Sequence, residues 1–342
     1  MKQKENTEAK ARICFVGDLA LSFVKKDHEL LEKHFAVDVV QPPKKRNLSW
    51  LKYILALAGN IFQSDLSFCW FAGWHSAFAI FFDKLFGKKS IIVAGGFDCA
   101  CVPEIGYGAF LKGKFLKERL PAKYVFKNAY RVLVADRSLK NDIIKHAKTA
   151  GSNIKHVPNG YDSNHWKPEG RKESIVLAVG TGTEPVIRRK GFDTFVKVAK
   201  HFPSINFVLI GRHIDRSANH LKHTASSNVK FTGFVSDAEL HEYYQKAKVY
   251  CQLSRYEGLA DALCEAMLCK CIPVGTKYCG IPTAIGDTGF YVPYGDERAT
   301  AEAIKKALNA PDGLGEKARQ RIKEMFPLEK RERQIVEAIE NR

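Results

Sequence analysis

Short apolar runs alternate with helical patterns along the whole chain. In the first half the runs are RICFVG (from Arg12), FAVDVV (from Phe35), LSFCWFA (from Leu66), KSIIVAGG (from Lys89) and YRVLVAD (from Tyr130). A second series comprises SIVLAVG (from Ser174), INFVLIG (from Ile205), NVKFTG (from Asn228), KVYCQLS (from Lys248) and CIPVGT (from Cys271). Strands alternating with helices predict parallel α/β architecture. Most runs of the first series end in Gly or Asp, where the ligand-binding loops of such sheets begin. Between the two series, HVPNGYDSNHWKPEGRKE carries Pro158, Asn159, Gly160, Pro168 and Gly170, the punctuation of turns and a linker. The pattern predicts two doubly wound domains in tandem, residues 1–168 and 169–326. The closing FPLEKRERQIVEAIE reads as an amphipathic helix after Pro327, so 327–342 is expected to return to the first domain. No internal repeat or low-complexity tract is evident.

Composition fits a soluble two-domain chain: 342 residues, 45% hydrophobic, with a mean hydropathy of −0.24. The longest apolar run, Phe68 to Phe82, is broken by His75 and falls short of the ~20 residues that span a bilayer. The charged start, MKQKENTEAKA, has no apolar region and is expected to be a solvated tail, which places the protein in the cytoplasm. Nine cysteines without a secretion signal point to reduced thiols. CAC (Cys99, Cys101) and CKC (Cys269, Cys271) lack Cys-x-x-Cys spacing and read as core packing.

The net charge of +17 is uneven: residues 1–170 hold 27 Lys and Arg against 16 Asp and Glu, and the remainder 27 against 21. The first half therefore faces something anionic, such as a phosphorylated ligand, nucleic acid or a membrane surface. Lys44, Lys45 and Arg46 precede an apolar stretch with Trp50 and Tyr53, and FLKGKFLKERLPAKYVFK (Phe110 to Lys127) repeats the mixture. Both segments suit an anionic bilayer at the inner face of the membrane.

The chemistry concentrates in EGLADALCEAM, Glu257 to Met267. Glu257 follows a strand, and Gly258 is expected to open a helix with apolar positions at Leu259, Ala262, Leu263, Ala266 and Met267. The free amides and positive dipole end of that helix would lie at the carboxyl edge of the sheet and make an anion site. Glu265 lies roughly 12 Å further along, near the length of a nucleoside diphosphate sugar. Such a pair is often only a helix-cap carboxylate and a surface residue. The apolar surroundings of Glu265 argue for function, since an unpaired buried carboxylate is costly. Upstream, Arg188, Arg189 and Lys190 precede Gly191 in a strand-to-helix loop after Gly180, where cations can neutralise a diphosphate.

Together these segments resemble glycosyltransferase family 4, the retaining nucleotide-sugar enzymes of the GT-B fold. The resemblance rests on VPNGYD (Val157 to Asp162), RRKGFDTF, FTGFVSDAEL (Phe231 to Leu240), SRYEGLADALCEAM with its two glutamates separated by seven residues, and GFYVPYGD (Gly289 to Asp296). It implies an α/β chain of two Rossmann-like domains facing each other across a cleft. It further implies that Lys190, with Arg189 or Arg188, holds the donor diphosphate, and that Glu257 lies near the donor sugar. Glu265 would take the ribose hydroxyls, Gly258, Leu259 and Ala260 would supply amides, and the backbone of Phe234 and Val235 would meet the base.

Three positions depart from the family's pattern. Thr181 stands where an arginine usually follows the strand, leaving Arg188 to substitute. The first-strand loop is reduced to Gly17-Asp18. Gly95 replaces the usual histidine, leaving Gly96, Asp98 and His75 as the acceptor side. The expected activity is sugar transfer from a UDP- or GDP-sugar to a glycan, lipid or small-molecule acceptor. No cofactor or metal is expected, since no Asp-x-Asp motif occurs. The rivals are a sugar-nucleotide-binding protein without transfer and a basic nucleic-acid-binding protein. No nucleic-acid module is recognisable, and nucleic acid is not the expected partner.

Overall fold

The computed structural model describes residues 10–44, 48–181, 183–212 and 217–340. The chain begins β1 (Arg12–Val16), α1 (Ser22–His34), β2 (Ala36–Val40), α2 (Ser49–Gln63), β3 (Leu66–Trp70) and α3 (Trp74–Leu85). It continues β4 (Lys89–Ala94), α4 (Leu120–Asn128), β5 (Arg131–Val134), α5 (Arg137–Ile143) and β6 (Ile154–His156). The second series runs β7 (Glu173–Val179), α6 (Glu184–Lys190), α7 (Phe192–Val198), β8 (Asn206–Ile210), α8 (Ser217–Thr224), β9 (Val229–Gly233) and α9 (Asp237–Lys246). Then come β10 (Ala247–Gln252), α10 (Asp261–Leu268), β11 (Ile272–Thr276), α11 (Ile281–Ile285), β12 (Phe290–Val292), α12 (Glu297–Asn309), α13 (Asp312–Met325) and α14 (Leu328–Glu340). Residues 1–9 of the expected tail, with Lys45 and Arg46, lie outside the described residues.

The strands form two six-stranded parallel sheets, ordered β2-β1-β3-β4-β5-β6 and β12-β11-β10-β7-β8-β9. This is the GT-B architecture of two Rossmann-like domains. Strands such as β3, LSFCW, are buried throughout because helices cover both faces of each sheet. The ten sequence-predicted strands all form. The two that escaped, β6 and β12, are three-residue edge strands, too short to carry a pattern.

In each sheet the order reverses at one point, between β1 and β3 and between β7 and β10. Loops leaving such a switch point diverge and open a crevice at the carboxyl edge. The loop after β7 leads to Arg189 and Lys190, and the loop after β10 carries Glu257.

After the second sheet the chain crosses back, and α14 packs on α1. Its anchor is Arg331, whose Nε and Nη2 donate to the two carboxylate oxygens of Asp27 at 2.7 and 2.6 Å. The remaining Nη1 donates to the Val157 and Pro158 carbonyls, so one buried guanidinium ties the crossing helix to the linker. Gly160 permits the approach, since a Cβ there would come within 2.8 Å of the Leu328 backbone.

Candidate active site

The carboxyl edges of the two sheets meet around a cavity of about 320 Å³. The first domain contributes Phe23, Trp70, Val93 to Gly96 and Tyr107, and the second contributes Arg189, Lys190 and the run Glu257 to Ala262. Lys190 reaches the cavity because Gly180, at the end of β7, has no side chain: a Cβ there would stand 2.5 Å from the lysine stem. Gly191 then ends α6 at φ 67°, and its Cβ position is blocked by the Leu253 carbonyl at 2.4 Å, so the α6 to α7 corner lies directly on the loop after β10.

Glu257 organises this corner. Its Oε1 accepts from Arg189 Nη1 at 2.7 Å, Lys190 Nζ at 3.1 Å, Ser254 Oγ at 3.1 Å and Gln252 Nε2 at 3.2 Å. Burial by itself would raise this carboxyl, but the two cations and their hydrogen bonds outweigh it and hold it down at about 2. Burial pushes the Lys190 ammonium down, and Arg189 adds repulsion that Glu257 offsets only in part. The result is two positive charges fixed around one carboxylate at the wall of a cavity. Arg189 also donates to the Tyr256 carbonyl and lies over the Tyr107 ring of the first domain, 5.3 Å from its centroid.

Gly258, Leu259 and Ala260 line the cavity, but the helix expected to start at Gly258 starts at Asp261. The Gly258 carbonyl is pinned against Gly280, where a Cβ would come within 1.8 Å of it, so the three residues form a bend before the helix.

Several sequence-predicted residues lie elsewhere. Arg188 points outward and pairs with Glu184 at 2.7 Å, because successive helical side chains diverge by about 100° and Arg189 and Lys190 take the inner face. His75 turns away from the cavity: its Nε2 lies 2.8 Å from the Trp70 carbonyl, and burial lowers its basicity. Asp98 is buried and already saturated, accepting from the Ala72, Gly95 and Gly96 amides. It clamps the loop after β3 to the loop after β4, while Gly96 itself lines the cavity. Gly17 packs under α1, with Val24 2.8 Å from its Cβ position, and does not reach the cavity wall. Phe234 is exposed beyond β9 under the Arg212 guanidinium, and Val235 packs against the second-domain core, both outside the cavity lining. The absence of a side chain at Gly95 has a local cause: the Phe71 ring occupies the space, 2.0 Å from where a Cβ would be.

Glu265 is buried on α10, away from the cavity lining, with Lys26 Nζ of α1 at 3.5 Å. Burial lifts its carboxyl to about 7, Lys26 opposing and Asp261 adding to the shift.

Sequence reasoning missed the groups that join the domains. Asp261 Oδ1 accepts from Asn159 Nδ2 at 2.9 Å and Tyr161 Oη at 2.8 Å, tying the start of α10 to the linker. Tyr256 donates to Asp142 at 2.7 Å, and Thr283 to Asp136 at 2.7 Å. VPNGYD carried the only signal, as part of the linker. The nine cysteines are free and packed in the cores or partly buried, and the described residues contain no cluster of three or more His, Cys, Asp or Glu able to hold a metal.

Residues 164–325 match the family model of glycosyl transferases group 1. Among curated relatives, the chain is 22% identical over 203 residues to a phosphatidylinositol N-acetylglucosaminyltransferase subunit of Arabidopsis thaliana, covering 57% of this chain and 45% of that protein. It is 25% identical over 236 residues to α-galactosylglucosyldiacylglycerol synthase of Streptococcus pneumoniae, covering 60% of each. The chain thus spans about half the length of the curated relatives it matches. In structure it is similar to Anabaena HepE, solved with UDP and glucose, at a TM-score of 0.80 and 16% identity over 97% of this chain and all of that one. Sucrose-phosphate synthase from Thermosynechococcus elongatus superposes at 0.77, also with 16% identity, over 97% of this chain and 99% of that one. Family model, fold and switch-point geometry agree: residues 164–325 match the glycosyl transferases of group 1, and the chain as a whole is similar to solved structures of the GT-B fold.

Proposed function

We propose that the protein transfers a sugar from a nucleotide-sugar donor to an acceptor hydroxyl with retention of anomeric configuration. The observation that carries the reading is the Arg189, Lys190 and Glu257 cluster, two fixed cations at the wall of an interdomain cavity beside the bend Gly258 to Ala260. In this reading residues 169–326 bind the donor, and residues 1–168 with the returning segment 327–342 carry the acceptor side. Solved neighbours bound to UDP and UDP-glucose make UDP-sugars the first donors to try.

Chemically, the bond from the anomeric carbon to the diphosphate oxygen breaks, and a bond from that carbon to the acceptor oxygen forms on the same face. The acceptor proton passes to the leaving diphosphate. Charge grows on the leaving oxygen, where Lys190 and Arg189 supply the compensation, so no metal is required in this scheme. Glu257 holds both cations in place, and its free oxygen is available to a sugar hydroxyl. In this reading the nucleoside extends beyond the cavity lining, where Glu265 takes the ribose and the Phe234-Val235 backbone the base.

The test is a panel of UDP- and GDP-sugars read by released nucleoside diphosphate with and without EDTA, with the product's anomeric configuration read by NMR. Release from one donor, unaffected by EDTA and giving retained stereochemistry, is the expected result. Absence of both binding and release across the panel, with salt-sensitive binding of a nonspecific duplex, would overturn it.

A further inference from the structure

The helical layer over one face of the first sheet is apolar on its outer side. α2 buries Tyr53, Leu57 and Ile61, yet Leu48, Leu51, Leu55 and Phe62, at helical spacing on the opposite side, are 58–84% exposed. A helix apolar all round belongs inside a protein or against lipid. Of the eleven large hydrophobics exposed among the described residues, seven lie in this layer: those four, Phe81 and Leu85 of α3, and Leu116 before α4. Concentration of this kind marks a contact surface, since scattered exposed side chains are the ordinary case. The two aromatic residues expected to meet the bilayer there, Trp50 and Tyr53, face inward: Tyr53 is buried, and Trp50 packs edge-on against Tyr53 and at a tilt against Phe78. A groove of about 500 Å³ runs between α2, α3 and α4, walled by Ile54, Trp74, Phe78, Phe81, Phe82 and Tyr124 among others.

Charge identifies the occupant. The three segments of this layer, 48–62, 74–89 and 110–130, contain ten Lys and Arg against two acids, Asp83 and Glu118. Asp83 is buried on Ser67, and Glu118 is taken by Lys114. Lys52, Lys112, Lys117 and Lys127 are exposed on the same segments as the apolar strip. An apolar face rimmed by cations matches the interface of an anionic bilayer, acyl region against the strip and headgroups against the lysines. Trp74 of the groove stands four residues after Trp70 of the cavity wall, so one strand-to-helix connection, β3 to α3, supplies both.

We propose that the α2, α3 and α4 face of the first domain docks on an anionic membrane surface and presents the cavity to acceptors held in that membrane. No helix among the described residues is long and apolar enough to cross it, so docking is peripheral.

The test is co-sedimentation of the full chain with vesicles of phosphatidylglycerol and phosphatidylcholine in equal parts, against phosphatidylcholine alone. Selective partition to the anionic vesicles is expected, lost in about 1 M salt, where the screening length falls to about 3 Å. Neutralising Lys112, Lys117 and Lys127 together to Gln should weaken partition about 10²-fold. The triple variant Leu51→Glu, Leu55→Glu, Phe81→Glu should abolish partition while circular dichroism and the thermal melt stay unchanged. A single Leu55→Glu change with an intermediate loss guards against misfolding of the triple. Three results would overturn the proposal: no selective partition of the parent, parental partition by the folded apolar-face variants, or a parent dimer in ultracentrifugation that those variants dissociate. Nucleoside diphosphate release is not read, so failure here is separable from failure of the proposed transfer activity.

Discussion

Replacing Lys190 removes one of the two cations proposed to meet the leaving diphosphate, and the structure allows the effect on chemistry to be separated from the effect on folding. Glu257 would still be held by Arg189 at 2.7 Å and by Ser254 and Gln252, so its buried carboxylate is not orphaned. The lysine stem lies against Gly180, and truncation to Ala would open a gap there. Lys190→Met keeps most of the stem and deletes only the charge. Removing one pre-organised electrostatic partner lowers turnover by about 10²–10³-fold, or about 3–4 kcal/mol. The donor KM should change much less, because the charge compensated by Lys190 grows mainly in the transition state. The assay is the initial rate of nucleoside diphosphate release at saturating donor for parent, Lys190→Ala and Lys190→Met, with a thermal melt of each. Near-parental turnover by folded Lys190→Met would refute the assignment of this cluster to the leaving group, even with the fold correct.

Arg331→Met should lower unfolding free energy by about 3–5 kcal/mol, because Asp27 is left charged and only 1% exposed. Urea denaturation should also show the double change Asp27→Leu, Arg331→Met recovering much of that loss, and a single-variant loss below about 1 kcal/mol would contradict the reading. Glu265 gives a pH signature. Its folded-state carboxyl is raised from 4.5 to about 7 chiefly by burial, so between these values the folded state binds a proton that the unfolded chain has lost, and stability falls as pH rises through that window. The span corresponds to roughly 3 kcal/mol as an upper figure, and Glu265→Gln should remove the slope, gaining stability relative to the parent above pH 7 and little below pH 4.5. A parent-minus-variant difference that is the same at both ends of the window would contradict this origin.

The chain's own pattern determined the two parallel sheets, ten of their strands and the return of the last helix, because runs of six to eight mostly apolar residues, the majority ending at Gly or Asp, carry their signal locally. It also placed Lys190, Arg189 and Glu257 at the carboxyl edge, since in a doubly wound fold the loop after a strand fixes its residues' position before any packing is known. What packing decided was orientation. Arg188, Arg189 and Lys190 are consecutive, and only the phase of α6 against the loop after β10 turns two of them inward and one to solvent. Asp98 and His75 look alike in sequence to free polar groups at a ligand edge, but the sheet brings the Ala72 amide from the loop after β3 onto Asp98, and the start of α3 turns His75 back onto the Trp70 carbonyl. Phe71 fills the place above Gly95 for the same reason. The bidentate pair of Asp27 with Arg331 joins residues 304 positions apart, a distance at which no periodicity links them, and it exists only because α14 crosses to α1 and buries both charges together.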